Sequence, residues 1–156
     1  MKPRRVLLMI SSMRGGGSER QVLLLSKHLN RERFEVHLYL TDPSGDYLAE
    51  VPKDVRIHSF HPSKKGPDPF LGGGVYFPGR ALRRQCQFLQ RVVIDAGIDV
   101  VYDRTFHMSM LAGDLPRSIR RVSTIVSPPH LALPLVEKRF VALKRRRLSR
   151  SYRRSN

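Results

Sequence analysis

Residues 5–21 read RVLLMISSMRGGGSERQ, and two patterns meet in them. Val6-Leu7-Leu8-Met9-Ile10 is continuously apolar, as suits a short strand buried on both faces of a parallel sheet. Gly15, Gly16 and Gly17 follow. Ser18 then opens a run to Asn30 in which Val22, Leu25 and Leu29 recur at helical spacing. Ser18 is a favourable N-cap residue, and Gln21 three places on completes a capping-box pattern. Strand, glycine turn and helix together form the opening unit of an α/β domain.

The same alternation of periods continues outward. Phe34, Val36, Leu38 and Leu40 alternate with Glu35, His37 and Tyr39, which predicts a second strand. A third strand is expected over 55–60, with a helical turn over 46–51 before it. Residues 61–78 hold four prolines and four glycines and read as a long loop. Leu82, Cys86, Leu89, Val93 and Ala96 form one apolar stripe, so 79–96 is expected to be a helix stopped by Gly97. Short strands are expected over 99–102 and 121–126, a helix over 106–115, and a last basic helix from about residue 134 onward. This order implies a single Rossmann-like α/β domain over 1–156. Its sheet should be mainly parallel, of about five strands, with helices on both faces.

Charge sets a second constraint. Lys plus Arg number 29 against 13 Asp plus Glu, a formal charge of +16 in 156 residues. Nine of the basic residues fall between Lys138 and Asn156 with no acid among them, and without these nine the rest carries +7. Such a balance favours an anionic partner: phosphate-bearing ligand, acidic lipid or nucleic acid. The basic segments are not interleaved with aromatics, which counts against single-stranded nucleic acid. A basic helix that also carries Leu135, Val136, Phe140, Val141, Leu143 and Leu148 suits either an anionic membrane surface or a solvated face. One cysteine, Cys86, excludes an intrachain disulfide. The five-residue apolar run at the N-terminus is shorter than a signal-peptide core, and no run is long enough to span a bilayer. A cytoplasmic location, peripheral to the inner face of a membrane if the basic helix binds lipid, is the expectation.

Ligands of such sheets bind beyond the carboxyl ends of the strands at a topological switch point. Two loops are therefore candidates. In the first, Gly15, Gly16, Gly17 and Ser18 let backbone N–H groups approach an oxyanion, and the helix start adds its free N–H groups and positive dipole end. No Gly-Lys-Ser/Thr follows, so this is not a Walker loop, and the three glycines equally suit a tight turn alone. In the second, Asp103, Arg104 and His107 would gather at a strand end. An imidazole can orient or deprotonate a hydroxyl, and a guanidinium can hold a phosphate. The plainer alternative is that Asp103 and Arg104 pair and His107 packs at a helix start. His28, His37, His58, His61 and His130 show no metal-ligand spacing, and no Asp-x-Asp carboxylate cluster is present.

With these residues in view, the run over 5–21 resembles the opening of the retaining glycosyltransferases of family 4, two-domain enzymes of the GT-B fold. Gly16-Gly17-Ser18-Glu19-Arg20 is similar to their glycine-rich loop. Ile98 to Gly113, IDVVYDRTFHMSMLAG, resembles their fourth strand and the helix after it. The tail EKRFVALKRRRLSRSYRRSN resembles a later helix of the same domain. The resemblance implies an acceptor-side domain whose glycine loop, Gly15 to Gly17, borders the diphosphate of a nucleotide-diphosphate sugar donor, with no cofactor. It implies a sugar or acceptor contact for His107. Tyr102 and Arg104 stand where the family often has earlier histidines. It also implies a C-terminal domain carrying most of the donor site, so the 156 residues alone are expected to be inactive, as a truncated piece or a domain completed by another chain. The rival expectation is a non-catalytic Rossmann-like module that binds an anion, with nucleic-acid binding third.

Overall fold

A computed structural model describes residues 2–61, 80–136 and 140–154. The expected 61–78 loop, past His61, lies outside the described residues. The elements in chain order are β1 (Arg4–Ile10), α1 (Gly17–His28), β2 (Phe34–Leu40), a 3-10 turn (Asp46–Glu50), β3 (Arg56–Ser59), α2 (Arg80–Asp95), β4 (Val100–Asp103), α3 (Phe106–Ala112), β5 (Arg120–Ser123), α4 (Pro129–Val136) and α5 (Val141–Tyr152). The five strands form one sheet in the order β3-β2-β1-β4-β5, and every pairing is parallel. The fold is therefore α/β and Rossmann-like, as the alternation of periods implied.

Successive side chains of a strand face opposite ways, so the central strands feed two cores. Leu7, Met9, Tyr39 and Val101 pack with Cys86, Leu89 and Val93 of α2 and Met108 and Leu111 of α3. Val6, Leu8, Ile10, Val36, Leu38 and Leu40 pack on the other face with Val22 and Leu23 of α1. The alternation in β2 does not mark a wet face: Tyr39 and His37 are as buried as Leu38. A strand flanked by β1 and β3 and roofed on both sides leaves no face for water.

His37 is accommodated because its ring is hydrogen-bonded at both nitrogens. Its Nδ1 lies 2.9 Å from His58 Nε2, and its Nε2 lies 3.1 Å from Glu35 Oε1. The Arg5 guanidinium, bonded to Glu35 at 3.0 Å, is the main reason the Glu35 carboxyl is held below its usual range, with His37 adding to it. Burial first, and then the charges of His37 and Arg56, push His58 down to about 4. The unfolded chain binds the His58 proton near 6.5 and the folded chain only near 4. Stability from this group is thus present above 6.5 and is lost as pH falls through that window. The half-exposed ring limits the loss to on the order of 1–2 kcal/mol. The test is urea denaturation at pH 7 and pH 4.5. His58→Gln should remove that much of the pH dependence, and an identical slope for the two proteins would refute the assignment.

Three local expectations need correction. Ser18 does not cap α1. Gly16 holds the N-cap position in an extended conformation with no side-chain bond, and Ser18 lies inside the first turn. A glycine backbone turns into a helix without side-chain help, so the start moves one residue earlier. The last basic helix is two helices, because Phe140 adopts a left-handed conformation (φ 56) that starts α5 afresh. Asp103 and Arg104 do not pair with each other: Asp103 pairs with Arg121, and Arg104 reaches Tyr102.

Candidate functional site

The chain steps outward from β1 to β2 and β3, then crosses back to β4 and β5 on the other side. The direction reverses between β1 and β4, where Met9 sits opposite Asp103. In open α/β sheets the ligand crevice lies where the segments leaving the strands at their carboxyl ends part in this way. One segment carries Gly15, Gly16 and Gly17; the other carries Arg104 and Thr105 and leads to His107.

The base of the glycine segment is clamped. Met13 is fully buried; its N–H donates to the Ser44 carbonyl at 2.8 Å, and its own carbonyl accepts from the Tyr47 N–H at 3.1 Å. The Arg14 guanidinium bonds Asp42 at 2.7 Å and Ser44 Oγ at 3.2 Å. Above this base the glycines are exposed. Gly15 has φ +103, in the region that favours glycine, and a Cβ on Gly15 or Gly17 would meet nothing within 4 Å. Open space and bare backbone thus coincide at the start of a twelve-residue helix. The first N–H groups of α1 lack intrahelical acceptors, and the dipole places partial positive charge there. Glu19 folds its carboxylate back over Gly16, at that helix start. An incoming phosphate would replace or displace it.

On the β4 side, the candidate residues separate. Asp103 is fully buried and turned away from the crevice. It accepts from Ser109 Oγ, from Ser123 Oγ at 2.7 Å and from the Arg121 guanidinium at 3.1 Å. Arg121 also donates to the Ser151 carbonyl at 3.1 Å and to Ser151 Oγ at 3.0 Å, and Ser151 Oγ donates to the Ser109 carbonyl. This network ties β4, β5, α3 and α5 together, so Asp103 positions the strand end and does not face a ligand. Arg104 instead reaches Tyr102, donating to its hydroxyl at 3.3 Å, and Thr124 Oγ1 donates to the same hydroxyl at 2.9 Å. His107 Nε2 lies 2.8 Å from Gln85 Oε1 on α2. An amide oxygen only accepts, so this contact places a proton on Nε2. Thr105 caps α3, its hydroxyl accepting from the Met108 N–H.

Residues 16–156 match the model of the glycosyl transferase 4-like domain. The chain belongs to that family. No curated protein matches it. The family implies sugar donor and acceptor substrates, and the glycine segment and the end of β4 are candidate positions for them. The resemblance over 5–21 and 98–113 pointed to these two segments. Sequence reasoning missed Gln85, Arg121, Ser109, Ser123 and Ser151. Arg121 and Ser123, two apart on one strand, share a face, and that was the only signal available. Among the described residues no group of three His, Cys, Asp or Glu is placed to hold a metal ion. No described helix is long and apolar enough to cross a membrane.

Cys86 has no place in this crevice. It is buried in the α2 stripe, and its thiol donates to Asp114 at 3.2 Å. Burial first, then the Asp114 hydrogen bond, push its pKa up to about 12. A thiol so protonated is a core residue and a poor nucleophile.

Proposed function

We propose that this domain forms the acceptor side of a retaining hexosyltransferase. It would act on a nucleotide-diphosphate sugar and an acceptor hydroxyl, with most of the donor site supplied by a C-terminal domain. The observation that carries this is the open glycine bend at the sheet's switch point, beside the start of α1. Backbone N–H groups there offer hydrogen bonds to diphosphate oxygens, and charge-assisted bonds of this kind are about twice as strong as neutral ones. His107, its ring held by Gln85, is the side chain this reading assigns to an acceptor or sugar hydroxyl. Arg104 adds positive charge on the same rim. Retaining transfer needs donor and acceptor held together away from water, which one half of a cleft does not achieve. The reading places the protein in the cytoplasm, peripheral to a membrane that bears a lipid-linked or other saccharide acceptor.

The experiment measures hexosyl transfer by this chain with and without a separately supplied C-terminal donor domain. Transfer is expected only with both. Gly17→Val adds a side chain where none now meets a neighbour, so the fold should persist while nucleoside diphosphate binding drops at least tenfold. His107→Ala should cost about tenfold in transfer, the worth of one orienting hydrogen bond, with nucleotide binding unchanged. Nucleotide binding without transfer under complementation would favour the anion-binding module. Absence of both would overturn the reading.

A further inference from the structure

We propose that the outer face of α4 and α5 docks on an anionic lipid surface. Leu131, Leu135, Phe140 and Leu143 would enter the headgroup boundary, and Arg146, Arg150 and Arg153 would pair with lipid phosphates. This deepens the peripheral location in the reading above by naming the surface responsible.

The two sides of α5 are chemically distinct. Leu148 and Ser151 are buried, and Ser151 belongs to the Asp103–Arg121 network, so one face is fixed to the domain. The opposite stripe follows from helix geometry: 143, 146, 150 and 153 recur at intervals of three and four and lie together. All four are exposed. The three arginines stand on the outward face, whereas Arg147, toward the domain, is spent on Asp114. No acid occurs anywhere in α5.

Exposed apolar groups accompany these arginines in the sequence. In α4, Leu133 is buried, while Leu131 and Leu135 face out, Leu135 at 81% exposure. Phe140 and Leu143 carry the apolar surface into α5, at half and two-thirds exposure. Arg145 donates to the His130 carbonyl at 3.2 Å and holds the two helices side by side. Large side chains left in water beside a row of arginines are poorly suited to a nucleic-acid backbone, which rewards only the charge. An anionic bilayer rewards both: the apolar groups sink into the acyl boundary, and each nearby arginine gains from the negative surface potential.

The test is co-sedimentation of the chain with vesicles of phosphatidylcholine alone or with about one part in three phosphatidylglycerol. Binding is expected to the anionic vesicles only. Replacing all three arginines, Arg146→Gln, Arg150→Gln and Arg153→Gln, should weaken it on the order of 100-fold. Leu131→Ser with Leu135→Ser should weaken it at least tenfold. Thermal melts check that the variants fold; if the triple variant melts early, Arg150→Glu alone replaces it, with a loss of at least fivefold expected. No wild-type binding, or equal binding to neutral vesicles, would overturn the proposal. Undiminished binding by either variant would do the same. So would RNA that strips the chain from vesicles in a manner indifferent to the leucines, or self-association abolished by the leucine changes. No donor or acceptor is present, so a failure here leaves the transfer reading standing, and a failed transfer assay leaves this one standing.

Discussion

Arg121→Ala is expected to lower the folding free energy by about 3–5 kcal/mol, a large part of what a single domain possesses. The reason lies in what is left behind. Asp103 is wholly buried and Arg121 nearly so, and their carboxylate and guanidinium meet at 3.1 Å. Removing the guanidinium strands a negative charge in the interior, where the Ser109 and Ser123 hydroxyls are the remaining partners shown among the described residues. It also removes the side-chain bond on the Ser151 carbonyl, which keeps its Arg154 N–H, and loosens α5 from β5. Urea denaturation followed by circular dichroism gives the free energy directly. Asp103→Leu combined with Arg121→Met removes both charges and should lose less than Arg121→Ala alone, because no charge is then buried unpaired. A loss below about 1 kcal/mol for Arg121→Ala would mean that water reaches the pair and that the network does not hold the end of β4.

That network was not legible in the sequence, and the reason is distance along the chain. Asp103 finds Arg121, Ser123 and Ser109, and Arg121 finds Ser151 thirty residues on. No local pattern couples such positions, and an arginine beside another arginine reads as surface. The expected Asp103–Arg104 contact failed for a related reason: neighbours in a strand point to opposite faces, so Asp103 turns into the core while Arg104 turns toward Tyr102. Local signals did better. Phe34–Leu40 stands as expected because alternation bounded by turn residues determines a strand without outside help. The parallel order was readable because buried strands separated by helices admit few other arrangements. The break between α4 and α5 was hidden, because Phe140 adopts a left-handed backbone that favours glycine or asparagine and announces no turn. Local pattern marked the two candidate loops but not how they are held, since the clamp under the glycines is made by residues 42–47 of a different loop.

That clamp supports the second large effect, expected for Gly45→Ala. Gly45 has φ +116, outside the range an alanine accepts without strain, and its missing Cβ would fall on the backbone of Met13 and Arg14. Backbone cannot swing aside as the end of a side chain can. Left-handed strain costs about 1–3 kcal/mol, and forcing two main chains apart adds a comparable amount, so a total of about 2–5 kcal/mol is expected. The consequence for the site is sharper than the loss of stability. The displaced atoms are the base of the glycine bend, held by Met13–Ser44 and Tyr47–Met13 hydrogen bonds. Shifting them by even 1 Å misaims every N–H group above, and misplacements of that size cost catalysts about 100-fold. Gly45→Ala should therefore abolish nucleoside diphosphate binding measured by calorimetry, even at temperatures where the chain remains folded. The comparison variant is Gly17→Ala, whose Cβ meets nothing within 4 Å and whose methyl is too small to block the approach. It should keep both stability and binding. If Gly45→Ala binds as the parent does, the bend does not need its floor, and the diphosphate is held elsewhere. If Gly17→Ala loses binding as completely as Gly45→Ala, the ligand needs the bare glycine surface itself, and the rigidity of the loop beneath it is secondary.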